Sequence, residues 1–400
     1  MLHNRWVALG LMCLSVVLSL ATWFSATAVM PELAARWSIS GSAAAWLTNA
    51  VQAGFVAGAL ASSFLGLPDR IQPHRLMAGC AVLAGLATLF LLTEPGIGVA
   101  IAARAVTGAA LAGVYPPAVK LMATWFRRGR GLALGFLLGA LTLGSALPHL
   151  VRGMGGGLDW RIVLAAAGLF SLVSALLSAF VLREGPFPFA KGPGVKMGQI
   201  RTILNNRAVM AANLGYFGHM WELYAMWGWF LAYARAAAEA GLPLSNPSLV
   251  TFAVIAAGVP GCIFGGLLSD RIGRARTTAL MMAISGLAAL GIGVVFSGPV
   301  WLFVAVALVW GFSVIADSAQ FSTAVTELSP PEIVGSAVAF QMGVGFALTI
   351  VTVWGLPLLA EAIGWRWVFS ALAIGPLLGV WAMLRLRRMP EAARMAGGRR

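Results

Sequence analysis

The chain has 400 residues, 60% of them hydrophobic and only 10% charged, with a mean hydropathy of +0.88 and a formal net charge of +14. Soluble domains carry about 25% charged residues, so a water-soluble enzyme and a free nucleic-acid binder are excluded, as are collagen-like, coiled-coil and disordered classes. Cys13, Cys80 and Cys262 lie in apolar runs without CxxC or histidine spacing, so no disulfide framework, no metal site and no cofactor are expected.

A helix that crosses lipid needs about 20 mostly apolar residues, because hydrocarbon offers the backbone no hydrogen-bond partners. Twelve segments qualify, at roughly 6–28, 43–66, 76–93, 97–121, 131–151, 161–183, 208–233, 248–269, 276–298, 299–322, 333–357 and 365–386. Transmembrane β-barrels show short alternating segments instead, so the fold class is an all-α membrane protein with 12 transmembrane helices. Arg5, the apolar run after it and Ser25-Ala26-Thr27-Ala28 imitate a signal peptide. The apolar run is too long for one, and the first segment is read as a retained anchor. With the amino terminus inside, 21 lysines and arginines fall on that side and 5 on the other. This bias places both termini in the cytoplasm of a multi-pass cell (inner) membrane protein. The basic excess then faces anionic lipid heads, and no nucleic-acid partner is needed.

In chain order, Trp23 and Phe24 of span one either wall a passage or serve as packing. Asn49, Gln52, Tyr115 and Gln341 are neutral polar groups within spans, read first as interhelical hydrogen bonds worth about 0.6 kcal/mol each; Tyr115 is also a candidate cavity residue. Gly131, Gly135, Gly139 and Gly144 before Pro148 predict a smooth face and a kink in span five. The segment 184–207, with Pro186, Pro188, Lys191, Pro193 and Lys196, is the longest polar stretch. It divides the chain into a six-helix bundle at 1–183, a cytoplasmic linker, and a second bundle at 208–400 with a short basic tail.

Span seven carries Asn213, Tyr216, His219 and Glu222 at every third position, a slowly turning stripe, with Tyr224 just beyond. Glu222 lies 14 residues past position 208, near the bilayer midplane at about 1.5 Å per residue. A carboxyl and an imidazole there either load and release a proton, staple helices by a His–Glu hydrogen bond, or touch a solute. Arg104, Glu222 and Asp317 are the formal charges inside apolar spans. Each costs at least about 2.5–3.5 kcal/mol to insert and normally faces a cavity or a partner. Arg104 has three readings: a clamp for an anionic substrate, a partner of Glu222 or Asp317, or a proton relay acting through a neighbour. Asp317, with Gln320 beyond it, is either a cavity group or a helix-end contact.

The two halves repeat. Asp69-Arg70-Ile71 with Arg75 matches Asp270-Arg271-Ile272 with Arg276 at an offset of 201, and Trp160-Arg161 matches Trp365-Arg366 at 205. Gly131 and Gly139 match Gly335 and Gly343 at 204. Such spacing indicates parallel repeats about an axis along the membrane normal. Gly266-x-x-x-Asp270-Arg271-x-Gly273-Arg274-x-Arg276 resembles the signature loop of the major facilitator superfamily, and Arg104-x-x-x-Gly108 resembles a second signature of its proton-linked members. In the first half, Leu65 stands where that loop has glycine and Gln72-Pro73 where it has Gly-Arg, so the match is fuller in the second half.

The resemblance implies two pseudo-symmetric six-helix bundles and a secondary transporter of a small solute working by alternating access. Spans one, four, seven and ten would line its central cavity. Proton coupling is then expected at Glu222, His219 and Asp317, and substrate contact at Arg104, Trp23, Tyr115, Asn213, Tyr216, Tyr224 and Gln320. Gating is expected at Asp69, Arg70, Arg75, Gly266, Asp270, Arg271, Gly273, Arg274 and Arg276. A loop carboxylate can rest on the positive end of a neighbouring helix for about 0.3–1 kcal/mol, and Gly266 would let backbones approach closely. On this reading the buried ionic groups border a wet passage, and the partners are a small solute, protons and the bilayer, with the protein a monomer. A transport-inactive receptor or a membrane-embedded enzyme on the same scaffold is the alternative. No cluster of His, Asp or Ser near one membrane face supports the enzyme, and no Walker loop supports ATP-driven transport. Within transport, uptake of a small organic or inorganic anion and export of a drug or metabolite both stay open. Nitrate-type members would present arginines in spans two and eight, where this chain has none.

Overall fold

Hydrocarbon forces a spanning backbone to satisfy its own hydrogen bonds, and this chain does so with helices. The computed structural model describes residues 4–39, 41–126, 129–154, 159–187, 200–330 and 333–399, with the side chains at 41, 42, 63, 64, 68 and 69 left out. No strand occurs among the described residues. Lys191, Lys196, Pro188 and Pro193 of the predicted linker lie outside them.

Among the described residues, nine spans are long and apolar enough to cross a membrane: two (Ala43–Ser62), three (Pro73–Thr93), four (Ile97–Trp125), five (Arg130–Met154), six (Trp160–Phe180), eight (Pro247–Ile272), ten (Val300–Leu328), eleven (Val334–Ile363) and twelve (Trp365–Arg388). Span one is a shorter apolar helix, Arg5–Leu20. Span seven, Arg207–Glu239, and span nine, Arg274–Gly291, complete the twelve segments as helices of 33 and 18 residues. Span seven falls outside the apolar set because its Asn, Tyr, His and Glu stripe dilutes it.

The chain folds as two units, Met1–Pro193 with Asn246–Ala253, and Gly194–Ser245 with Val254–Arg400. Each contains a close helix pair made at equivalent positions of the repeat. In the first, spans two and four meet through glycine. A Cβ added at Gly54 would stand 1.9 Å from the Ala105 carbonyl oxygen, one at Gly58 2.5 Å from that of Ala109, and one at Gly108 1.9 Å from that of Val51. In the second, spans eight and ten repeat the pattern. A Cβ at Gly261 would stand 2.2 Å from the Phe312 oxygen, one at Gly265 1.8 Å from that of Ala316, and one at Gly311 1.8 Å from that of Val254. Without a hydrophobic effect between helices in lipid, such small-residue seams are what allow van der Waals association.

Gly266 plays no part in either seam, since a Cβ there would meet nothing within 4 Å. The close approach expected of it belongs to Gly265, one position and about 100° around the helix away. Gly131, Gly335 and Gly343 likewise face open space. A Cβ at Gly144 would stand 2.5 Å from the Val17 oxygen, and Pro148 lies inside a continuous helix.

Several spans are broken, and the breaks position the polar groups. Span one stops at Leu20 and resumes as a short helix, Ser25–Ala28. Span four stops at Leu111 and restarts at Tyr115, where Pro116 and Pro117 occupy first-turn positions that need no backbone N–H. Span ten breaks at Asp317, which ends the helix Val300–Ala316 and caps Ser318–Leu328.

Candidate functional site

In the first unit, Arg104 is fully buried at 0% exposure. A break in a helix frees backbone carbonyls that lipid cannot satisfy, and the guanidinium takes up those of span one. Nη1 donates to Thr22 O at 2.9 Å and to the Ser25 hydroxyl at 3.3 Å, Nη2 donates to Trp23 O, and Nε donates to Leu47 O of span two at 3.4 Å. Ser25 in turn donates to Thr22 O. These bonds use four of the five guanidinium N–H groups. None of its acceptors is a carboxylate, so the expected pairing of Arg104 with Glu222 or Asp317 is replaced by a clasp on the discontinuity of span one. Trp23 belongs to the same break, where its ring packs on Phe55 at 5.1 Å between centroids. Tyr115 is half-buried at the restart of span four.

In the second unit, the stripe on span seven fans out to three neighbouring spans. Asn213 Oδ1 accepts from Gln341 Nε2 of span eleven at 3.1 Å, and Ser322 Oγ of span ten donates to Gln341 Oε1 at 3.1 Å. Tyr216 and His219 pack their rings on Phe321, with centroids at 6.0 and 5.6 Å, and Tyr224 packs on Phe346 at 5.3 Å. His219 Nδ1 lies 2.9 Å from Asp317 Oδ1, both groups buried, though without the alignment of a good hydrogen bond. The His–Glu pair expected along span seven is thus a cross-span His–Asp pair. Imidazole Nε2 of His219 has no hydrogen-bond partner.

Glu222, 2% exposed, is held by neutral donors. Trp310 Nε1 donates to Oε1 at 2.6 Å and Ser285 Oγ to Oε2 at 2.9 Å. Sequence reading missed both donors. Trp310 was findable, since it precedes Asp317 by seven residues and shares its helical face; Ser285 on span nine carries no such mark. With Arg104 at 0% and Glu222 at 2%, neither charge borders open water, contrary to the expectation of a wet lining.

Gln320, expected as a cavity residue, also has a partner in the signature loop. Its Oε1 accepts from Arg274 Nη1 at 3.0 Å, which ties it to the signature loop. Arg274 gathers that loop, donating to Ser269 Oγ at 2.6 Å and Asp270 Oδ1 at 2.9 Å, with Glu327 Oε1 at 3.5 Å. Gly273 adopts φ +95°, a left-handed geometry open to glycine, and starts span nine. Asp317, Gln320 and Glu327 therefore line one side of Ser318–Leu328, leading from the buried pair to the loop. Glu327 Oε2 further accepts from the Ala396 amide at 3.1 Å, and Arg399 donates to the Asp270 carbonyl. Arg271 and Arg276 are exposed and make none of these contacts. In the first half, Arg70 and Arg75 are exposed and the Asp69 side chain lies outside the described residues. Among the described residues no cluster of three or more His, Cys, Asp or Glu could hold a metal.

A helical membrane protein with a glycine seam in each unit and a polar cluster in its span interiors is built as a transport protein is. The Major Facilitator Superfamily model matches residues 12–315 and 224–400, and the chain belongs to that superfamily. The probable sulfoacetate transporter SauU of Cupriavidus necator is 24% identical over 70% of this chain and 68% of its own length. The 3-(3-hydroxy-phenyl)propionate transporter of Escherichia coli is 25% identical over 63% of this chain and 62% of its own. The chain thus spans about two thirds of the length of these curated relatives. In fold, a D-xylose-proton symporter superposes with TM-score 0.74, at 14% identity over 97% of this chain and 98% of that one. A bacterial homologue of the human lysosomal transporter Spinster, solved inward-facing, gives 0.73 at 15% identity over 98% and 100%.

Proposed function

We propose that this protein is a proton-coupled secondary transporter that takes up a small organic anion by alternating access. The observation that carries the coupling is the pair of buried carboxyls in the second unit, Glu222 held by Trp310 and Ser285, and Asp317 against His219. An ionisable group at this depth is retained for function more often than for stability. A carboxyl held by neutral donors changes its local electrostatics most when it gains or loses a proton. Glu222 is the proton carrier in this reading. Asp317 and His219 transmit its state, because Asp317 is the hinge of span ten and the helix it caps reaches Arg274 through Gln320. Protonation at the pair and rearrangement at the loop are then two ends of one rigid element. Asn213, Tyr216 and Tyr224 are the substrate-facing candidates on span seven.

The anion assignment rests on relatives named for sulfoacetate, gentisate and 3-(3-hydroxy-phenyl)propionate. The protein lies in the inner membrane as a monomer with both termini cytoplasmic, in keeping with the 21-to-5 charge bias. Purified protein in liposomes, loaded in turn with these three acids, tests the reading. An inward proton gradient should drive uptake by the wild type, whereas Glu222→Gln should exchange solute in counterflow without responding to the gradient. Gradient-driven uptake by the variant equal to wild type rejects the coupling role. Binding without counterflow in either protein points to a receptor.

A further inference from the structure

Spans eight and twelve end, and span nine begins, at one membrane face. There the second unit encloses a pocket of about 410 Å³ lined by Arg271, Ile272, Arg276, Arg387, Gly398 and Arg399. Four of the six lining residues are arginines. None of the four makes an ion pair with a carboxylate among the described residues, although six arginine–carboxylate pairs are made elsewhere among them. Arg399 is fixed through Nη1 on the Asp270 carbonyl, and Arg387 Nε is buried without an acceptor. Four like charges around one cavity repel unless an anion sits among them. The matching place in the first unit shows the difference. Its pocket of about 420 Å³ is lined by Gln72, His74, Arg75, Ala179, Arg183 and Glu184, so a carboxylate is present there beside only two arginines.

We propose that the Arg271–Arg276–Arg387–Arg399 pocket binds the phosphate group of an anionic phospholipid headgroup. Guanidinium forks donate in pairs to phosphate oxygens, and several converging forks suit a dianionic or bridged group better than a carboxylate. Depth in the membrane favours lipid over a soluble phosphate. Trp381, 52% exposed, lies six residues before Arg387 on span twelve and stacks under Arg385 at 5.3 Å. Exposed tryptophans of spans settle at the headgroup boundary, and six residues rise about 9 Å along a helix. The pocket therefore stands one headgroup's depth beyond that boundary, where basic pockets between spans collect anionic lipid. The 390–398 segment completes it, since Gly398 and Arg399 form one wall and Ala396 is pinned to Glu327. Bound lipid would hold that segment against the signature loop. The site is independent of what the protein carries.

The test uses the full chain purified in detergent, read by native mass spectrometry and by thermal unfolding. The additives are phosphatidylglycerol, phosphatidylcholine and potassium phosphate. Wild type should retain phosphatidylglycerol about tenfold or more over phosphatidylcholine, and be stabilised by it. The triple variant Arg271→Gln, Arg276→Gln, Arg387→Gln should lose that preference. Arg385→Gln, Arg388→Gln, Arg394→Gln removes the same charge outside the pocket and should keep it. Arg276→Gln alone, at an exposed position, is read if the triple variant does not fold, and should lower retention several-fold. Stabilisation of wild type but not the triple variant by millimolar phosphate, with no lipid preference, overturns the lipid source. Equal retention by the pocket variants and wild type, or equal loss in the control, overturns the pocket itself.

Discussion

The two units share one skeleton and put opposite charges into it. Spans two and four in the first, and eight and ten in the second, are zipped by glycines at offsets of 203 to 207 residues. Beside the first seam sits a buried cation whose known acceptors are backbone carbonyls and one hydroxyl. Beside the second sit two buried carboxyls, one held by an indole and a hydroxyl and the other lying against an imidazole. An arginine keeps its proton at any ordinary pH, so the first arrangement is suited to holding shape. Carboxyl and imidazole exchange protons, so the second can change state. Repetition gave the molecule two copies of a scaffold, and the polar side chains put a braced cation in one and, in the other, the carboxyls proposed above as the titratable site.

The skeleton is where the two units should be alike, and there the largest effects are expected. Gly108→Val and Gly311→Val each drive a side chain into a backbone oxygen that even a Cβ would approach to 1.9 or 1.8 Å. Both should cost on the order of 4 kcal/mol or more and strongly reduce folded protein recovered in detergent. Gly266→Ala, facing open space, should change the melting temperature little. A tolerated Gly311→Val beside a damaging Gly108→Val would show that the seams are not equivalent.

The side chains are where the units should differ. Arg104→Gln leaves carbonyls at the span-one break without donors and should destabilise by about 2–4 kcal/mol, while the pH profile of uptake by surviving protein keeps its shape. Glu222→Gln keeps an oxygen that accepts from Trp310 and gains an amide that can donate to Ser285 Oγ, whose own proton still reaches Met282 O, so its stability should stay within about 1 kcal/mol as gradient-driven uptake is lost. Thermal unfolding and liposome flux, measured on both variants, separate the roles. Loss of gradient response in Arg104→Gln with unchanged stability would reverse the assignment of brace and titratable site.

Much of this architecture is legible in the amino-acid sequence. Twelve apolar segments, the polar stripe of span seven and the three intramembrane charges follow from composition and spacing, because lipid permits so few backbone solutions. The pairings do not follow. His219 and Asp317 are 98 residues apart in sequence, and Glu222 and Trp310 are 88 apart. Which face of span ten meets span seven depends on helix rotation, which periodicity within one helix cannot report. The Gly266 expectation fails by one residue for the same reason. The motif marks a loop position, whereas the seam is set by Gly261 and Gly265, whose four-residue spacing is itself a legible small-residue pattern. The break in span one carries no proline, so Arg104 has no visible reason to turn toward carbonyls.

Between these levels lies the signature loop. Arg274→Gln should release Asp270, Gln320 and Glu327 together. The ion pair to exposed Asp270 is worth little by itself, but Arg274 also joins Gln320 to the loop. Transport rate should therefore fall several-fold while the melting temperature drops by only a few degrees. Flux that is unchanged in Arg274→Gln would remove the helix Ser318–Leu328 as the link between buried pair and loop.

The smallest difference lies where the sixth and twelfth spans begin, at Arg161 and Arg366, equivalent by the repeat. Arg161 and Arg36 both hold Glu94, with Arg36 Nε at 2.7 Å, whereas Arg366 Nε donates to the Gly293 carbonyl at 3.1 Å. The hydrogen bond from Arg36, and then the charges of Arg36 and Arg161, hold the Glu94 carboxyl below its ordinary value of 4.5. A carboxylate depressed in the folded state contributes stability fully above its unfolded value, and that contribution fades as pH falls through the lower folded value. The first unit should thus lose a small increment of stability on acidification below about pH 4.5, and the Arg366 contact should lose none. Glu94→Gln should lower the melting temperature slightly at neutral pH and flatten its decline in acid. Arg366→Gln should lower it by a similar amount at every pH, because a carbonyl has no proton to gain. A melting curve for Glu94→Gln that falls in acid as steeply as wild type would assign the acid sensitivity to other carboxylates.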